Sequence, residues 1–156
     1  MATAVLPQTQ KTIGDLCKAY ALAVEAVANY LACSVNLDGV RAEEVKRSLD
    51  RQLSEELTHA RRLADRIKQL GGRVPGASQL NLTRSTLDQS ARPGDVEAVL
   101  DGVLSDLRSS IRHYQQLILQ VAGYDYVTQE LCIRILADKE VHRAQYEGFL
   151  LEYAIK

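Results

Sequence analysis

Two pairs of side chains have the types and spacing that chemistry on a helix needs. Glu56 and His59 stand three residues apart, and so do Lys139 and His142. Residues i and i+3 share a helix face, so a carboxylate and an imidazole so placed can both reach one metal ion. Both pairs fall on apolar stripes. Glu56 lies one heptad from Leu49 and one from Leu63, while Lys139 and His142 belong to the run Cys132, Ile135, Lys139, His142, Tyr146, Phe149, Tyr153. A single Glu-x-x-His reads as a solvated face. Two pairs at mid-helix on core-facing stripes point instead to the pattern of a two-metal bundle, except that the second pair has lysine in place of a carboxylate. His113 falls off the stripe of its own segment and reads as a surface histidine. The charges of Arg41 to Arg66 are mostly an exposed face with supporting i, i+4 pairs.

The elements that must position these residues are long helices. Thr12 to about Leu37 repeats Ile13, Leu16, Tyr20, Ala23, Val27, Tyr30 and Ser34 at steps of three or four. Arg41 to Leu70 does the same with Val45, Leu49, Leu53, Glu56, Ala60, Leu63 and Ile67, and Gly71-Gly72 ends it. Val96 to Val121 and Asp125 to Tyr153 are the third and fourth. Between Gly71 and Asp95 no period is sustained. Helices of about thirty residues are roughly 45 Å long. A loop of about two dozen residues, at roughly 3.3 Å each, can run that whole length. The short loops make helices one and two antiparallel, and likewise three and four. The long connection then makes two and three parallel, which is the one-crossover arrangement of four-helix bundles.

Composition narrows the function. The 156 residues carry 46% hydrophobic and 25% charged side chains, enough for one domain over 1–156 with a sizeable core. The formal charge of -1 argues against a dedicated nucleic-acid binder. Cys17, Cys33 and Cys132 are odd in number and lack zinc-ligand spacing, so they read as reduced packing residues. The longest apolar run, Ala19 to Val35, is interrupted by Glu25 and Asn29 and is expected to be too short to span a membrane. No signal-peptide pattern leads the chain, and a cytoplasmic location is expected.

Two stretches carry a family resemblance. Glu55-Glu56-Leu57-Thr58-His59-Ala60-Arg61-Arg62-Leu63-Ala64-Asp65-Arg66-Ile67, ending in Leu70-Gly71-Gly72, resembles the second helix of the bacterioferritin and rubrerythrin-like branch of the ferritin-like superfamily. Asp125-Tyr126-Val127 with Ile135-Leu136-Ala137-Asp138-Lys139-Glu140-Val141-His142 resembles its fourth. The resemblance covers nearly the whole chain and implies an all-α ferritin-like bundle. It also implies a dinuclear iron site with one carboxylate from each helix and a histidine from helices two and four.

Carried over residue by residue, Glu56, His59 and His142 match that ligand set. The helix-one carboxylate position falls on Ala23, the helix-three position on Leu107, and the bridging position of helix four on Lys139. Glu25 is two residues from Ala23 and is expected on the opposite face of its helix. Asp106 could substitute for Leu107 only through a one-residue register shift. In the family the two bridging glutamates face each other, which here makes Glu56 and Lys139 the facing pair. The expectation is a metal site converted to a structural charge pair, with at most weak metal binding at Glu56, His59 and His142. Haem is not expected, because the family's haem methionine position is Leu57 and the only methionine is Met1.

The function expected is that of a non-catalytic or weakly metal-binding ferritin-like subunit, inactive alone as a ferroxidase. The alternative is an active iron-storage ferroxidase with a rearranged ligand set. A starvation-type DNA-protecting assembly ranks lower, since Met1 to Gln10 carry no lysine or arginine. A fifth helix is not expected, so a dimer, a 12-mer and a 24-mer stay open. The second apolar face of helix one (Cys17, Ala21, Val24, Ala28, Leu31) favours at least a homodimer, and co-assembly with an active paralogue fits a subunit of this kind.

Overall fold

The computed structural model describes residues 6–82 and 94–155, so positions 83–93 of the expected crossover and the first five tail residues lie outside the described residues. Four helices are present: α1 (Pro7–Asn36), α2 (Glu43–Gln69), α3 (Val96–Val121) and α4 (Tyr126–Ala154). Among the described residues there is no strand. α1 starts five residues earlier than the apolar period suggests, because Pro7 occupies the first turn, where its missing N–H costs nothing.

Local chemistry sets the helix ends. α2 closes with Gly72 N–H donating to the Ile67 carbonyl at 2.9 Å and Gly71 N–H to that of Lys68 at 3.0 Å. Gly71 takes φ +85°, so the pattern is a Schellman cap that only glycine adopts without strain. Asp95 caps α3 by accepting from Ala98 N–H at 3.1 Å, and Asp125 caps α4 by accepting from Thr128 N–H at 2.9 Å.

Side-chain contacts fix the topology. Arg66 of α2 reaches Asp125 and Thr128 at the start of α4, while Glu56 pairs with Lys139 further along. The two helices are therefore antiparallel. The short turn at Gly123 makes α3 antiparallel to α4, so α2 and α3 run parallel and need the long crossover. On the far side Lys11 meets Gln120, Thr12 meets Tyr124, and Asp15 meets His113, which makes α1 antiparallel to α3. His113 is therefore no surface histidine. It is half-buried, with Nε2 3.0 Å from the Asp15 carbonyl, because α3 lies against α1 at that point.

The apolar core is in two parts. Tyr30, Cys33, Leu49, Val103, Leu104 and Tyr146 belong to one cluster; Leu16, Ala23, Ala60, Leu63, Tyr114 and Ile135 belong to the other. The polar residues of the two stripes fall between them. α1 is long and apolar enough, by length and composition, to cross a membrane, which corrects the expectation from its interrupted apolar run. Its buried residues pack within the bundle, where a core helix has the same composition. α4 is apolar on two sides: Cys132, Ile135 and Tyr146 are buried, whereas Ile133, Val141 and Leu151 are exposed.

Gly72 offers a packing test. A Cβ there would lie 2.7 Å from Ile13 Cγ2 and 3.0 Å from Ile67 Cγ2. Both are β-branched, stiff side chains in the core end of the bundle. Gly72→Ala is expected to cost about 1–3 kcal/mol by overpacking, read as a lower urea midpoint with unchanged m-value.

Candidate functional site: a buried polar layer between α2 and α4

Glu56, His59, Lys139 and His142 are all buried in the same layer, with 1, 2, 3 and 6% exposure. The Lys139 ammonium donates a hydrogen bond to Glu56 Oε1. Glu56 projects from the middle of α2 and Lys139 from the facing turn of α4, so the antiparallel register brings them together. His59 Nδ1 lies 3.6 Å from Glu56 Oε1, too long for a direct hydrogen bond.

Each imidazole is anchored from outside by an acid that sequence reading did not single out. His59 Nε2 lies 2.9 Å from Asp138 Oδ2, and His142 Nε2 lies 2.7 Å from Glu55 Oε2. An ionised carboxylate only accepts, so in both rings Nε2 carries the proton and a neutral ring turns Nδ1 inward as an acceptor. Neither Nδ1 has a hydrogen-bond partner, and neither has Glu56 Oε2. The only sequence signal for the two acids is adjacency: each precedes a bridging position, at Glu56 and Lys139.

Electrostatics follow from this arrangement. Burial raises the Glu56 pKa, but the Lys139 ammonium bonded to it outweighs burial and holds the carboxyl at about 2. His142 is shifted down, first by burial and also by Lys139, against the opposing pull of Glu55 and Glu56, so its ring is neutral at pH 7. The site thus carries one buried ammonium and one buried carboxylate.

The other predicted positions also have places. Ala23 and Leu107 are buried at 2 and 1% exposure and supply no donor atom. Leu57 is 60% exposed. Glu25 does not face away from the bundle: it is buried at 5% and lines a cleft of about 30 Å³ with Asp106, Leu107 and Lys139. α1 is packed on both α2 and α3, so two of its sides are interior and a rotation past Ala23 does not reach solvent. Asp106 reaches the same cleft without any register shift, while Leu107 stays in the core. Among the described residues, no three His, Cys, Asp or Glu side chains form a group that could hold a metal ion. Cys33 and Cys132 are buried, Cys17 is half-buried, and burial pushes the Cys132 thiol up to about 12, which leaves it unreactive.

Reading by residue type also missed Ser48 and Gln52, which are buried at 0 and 2%, while Tyr146 of the helix-four stripe is fully buried as its spacing implies. Ser48 and Gln52 precede Glu56 at i, i+4 and i+8, a polar stripe one step beside the apolar one.

Comparison with known proteins places the fold. A ferritin-like domain family matches residues 13–153. No curated protein matches the chain in sequence. Among solved structures, the dodecameric thioferritin of Bacteroides fragilis, a bacterioferritin-related protein, superposes with a TM-score of 0.86 at 26% identity, over 94% of this chain and 88% of that one. A Desulfovibrio desulfuricans bacterioferritin with a diiron site gives 0.79 at 24% identity, over 96 and 83%. An N-terminally deleted Dps from Mycobacterium smegmatis gives 0.84 at 20% identity, over 92 and 96%, and shows likeness of fold alone.

Two outcomes test the electrostatics. Glu56→Gln leaves a buried unpaired ammonium and is expected to cost about 3–5 kcal/mol, whereas Glu56→Gln with Lys139→Met recovers most of that loss in a double-mutant cycle. Because the folded pKa of Glu56 is about 2, below the unfolded value near 4.3, its contribution is complete above about pH 4.5 and lost as pH falls through 2. Urea melts from pH 5 to 2 should show this share of the acid slope in the wild type and not in the double variant.

Proposed function

Because this chain belongs to the ferritin-like domain family, we propose that it is an iron-family bundle subunit in which the Glu56–Lys139 ion pair stands where the two-metal centre would be. In this reading the subunit does not oxidise ferrous iron on its own and acts through assembly. One observation carries it: the Lys139 ammonium, buried in the core, bonds Glu56, the carboxylate that would bridge two metals.

The donor set supports the same conclusion. A pair of ferrous ions brings four positive charges and needs several carboxylates around them. Here the inward-facing groups of the layer are one carboxylate, two imidazoles and an ammonium, and Ala23 and Leu107 offer nothing. Iron does not fit beside a protonated Lys139. Haem ligation by methionine has no candidate near Leu57, since the only methionine is Met1. The exposed apolar side chains Leu31, Val35 and Val141 favour a homo-oligomer, and the dodecameric relative is consistent with one. Co-assembly with a paralogue that keeps its metal ligands would give such a subunit a role in iron storage. We place it in the cytoplasm, where its three cysteines stay reduced.

One observation favours the alternative of a rearranged, active ligand set. Glu25 and Asp106 line the cleft that Lys139 also lines, so two further carboxylates stand near the layer. The DNA-protecting reading has no such support, because the N-terminal tail lacks basic residues.

Anaerobic Fe(II) titration followed by oxygen distinguishes these readings. The wild type should bind no iron above background and give no ferric product. Lys139→Glu removes the ammonium and adds a carboxylate beside Glu56, His59 and His142; it should bind Co(II) with the visible spectrum of a protein-ligated ion. Two irons per wild-type subunit with fast oxidation would overturn the proposal in favour of the Glu25 and Asp106 set.

A further inference from the structure

Eight buried side-chain polar atoms among the described residues lack a hydrogen-bond partner, and seven of them lie on one seam between α2 and α4. They are Ser48 Oγ, both amide atoms of Gln52, Glu56 Oε2, His59 Nδ1, His142 Nδ1 and the Tyr146 hydroxyl. Chance would scatter such atoms over the molecule. Here they follow the register: Glu56 stands by Lys139, His59 by Asp138 and Arg66 by Thr128. Ser48 lies within interaction range of Tyr146. Gln52, midway between Ser48 and Glu56, therefore falls level with His142. The result is a series of polar rungs about 16 Å long.

Each of these residues is at least nine-tenths buried, and an unpaired amide, hydroxyl or imidazole in such a place costs about 1–3 kcal/mol per group. Native interiors remove that cost with partners, and where side chains do not meet, the partner is an internal water making two to four hydrogen bonds. The seam has the acceptors and donors for this. Ser48, Tyr146 and the Gln52 amide can donate; Glu56 Oε2 and the two Nδ1 atoms can accept. His59 Nδ1 is 3.6 Å from Glu56 Oε1, beyond direct hydrogen-bond reach, so Nδ1 and the unpartnered Glu56 Oε2 are both left for a water set to one side of that contact.

We propose that the α2–α4 seam is a water-binding site: a file of ordered internal waters bridging Ser48 with Tyr146, Gln52 with His142, and Glu56 with His59. The file hydrates the buried ion pair. It also links the interior to the surface through the rings of His142 and His59, whose outer nitrogens reach the half-exposed Glu55 and Asp138. The inference rests on orphaned atoms and register, and Ser48, Gln52 and Tyr146 lie outside the metal-ligand set.

Crystals of the wild-type chain diffracting to about 1.2 Å, with anomalous data above the iron edge, test it. The expected result is at least three seam waters within hydrogen-bond distance of the named atoms. Gln52→Leu should lose the waters at the second rung and keep those at Ser48, and Tyr146→Phe should do the reverse. A dry seam, with Gln52 bonded directly to His142 and Ser48 to Tyr146, would overturn the water site while leaving the charge pair intact. An anomalous peak at Glu56 would overturn both readings, and waters present with Lys139 turned away from Glu56 would overturn the charge pair alone. If the variants do not fold, the wild-type density decides.

Discussion

A protonated lysine in the middle of a helical bundle is the constraint around which the rest is arranged. Removing an ammonium from water costs several kcal/mol, and its attraction to a carboxylate offsets this only in close, well-bonded geometry. Lys139 meets that condition through Glu56, at the one level where α2 and α4 present both side chains inward. The pair thereby fixes the register of the two helices. Sliding α4 by one turn would separate the charges and bury each of them alone. The apolar clusters at either end of the bundle leave the middle level to polar groups.

The surrounding residues are consistent with a layer built for one positive charge. Ala23 and Leu107 fill space without adding donors, and the two imidazoles are held by outer carboxylates with Nε2–H pointing outward. A neutral ring facing an ammonium with its lone pair is favourable, whereas a cationic one would repel it; burial and Lys139 both push His142 toward the neutral form. The carboxylates Glu25 and Asp106 approach Lys139 from the α1–α3 side, which moderates the positive field there. In the proposed reading stability and reactivity are linked: a centre neutralised from within has little left with which to attract divalent cations.

Much of this was legible in residue spacing, and the failures have specific causes. The heptad from Leu49 through Glu56 to Leu63 already put Glu56 on a core stripe, and the Gly71-Gly72 cap and the long aperiodic stretch already implied the crossover. Glu25 was misplaced because a helical-wheel argument assumes one buried face, while α1 contacts both α2 and α3. His113 was misplaced for the same reason on α3. Ser48 and Gln52 carry no sequence signal of burial, because a polar residue next to an apolar stripe is ordinarily at its solvated edge. Nothing short of the α2–α4 packing moves them inside.

The sequence by itself determined what depends on neighbours along the chain: four helices and their ends, the parallel placement of α2 and α3, the absence of carboxylates at positions 23, 107 and 139, and the presence of Glu56, His59, Lys139 and His142 on inward stripes. Tertiary structure decided what depends on distance between helices. It set which carboxylate holds which imidazole, which side of α1 is interior, and where polar atoms are left without partners. The physical reason is one of range. Helix periodicity is enforced every 1.5 Å by local hydrogen bonds, whereas hydrogen bonding across a seam is settled within a few tenths of an ångström by packing that no single helix encodes.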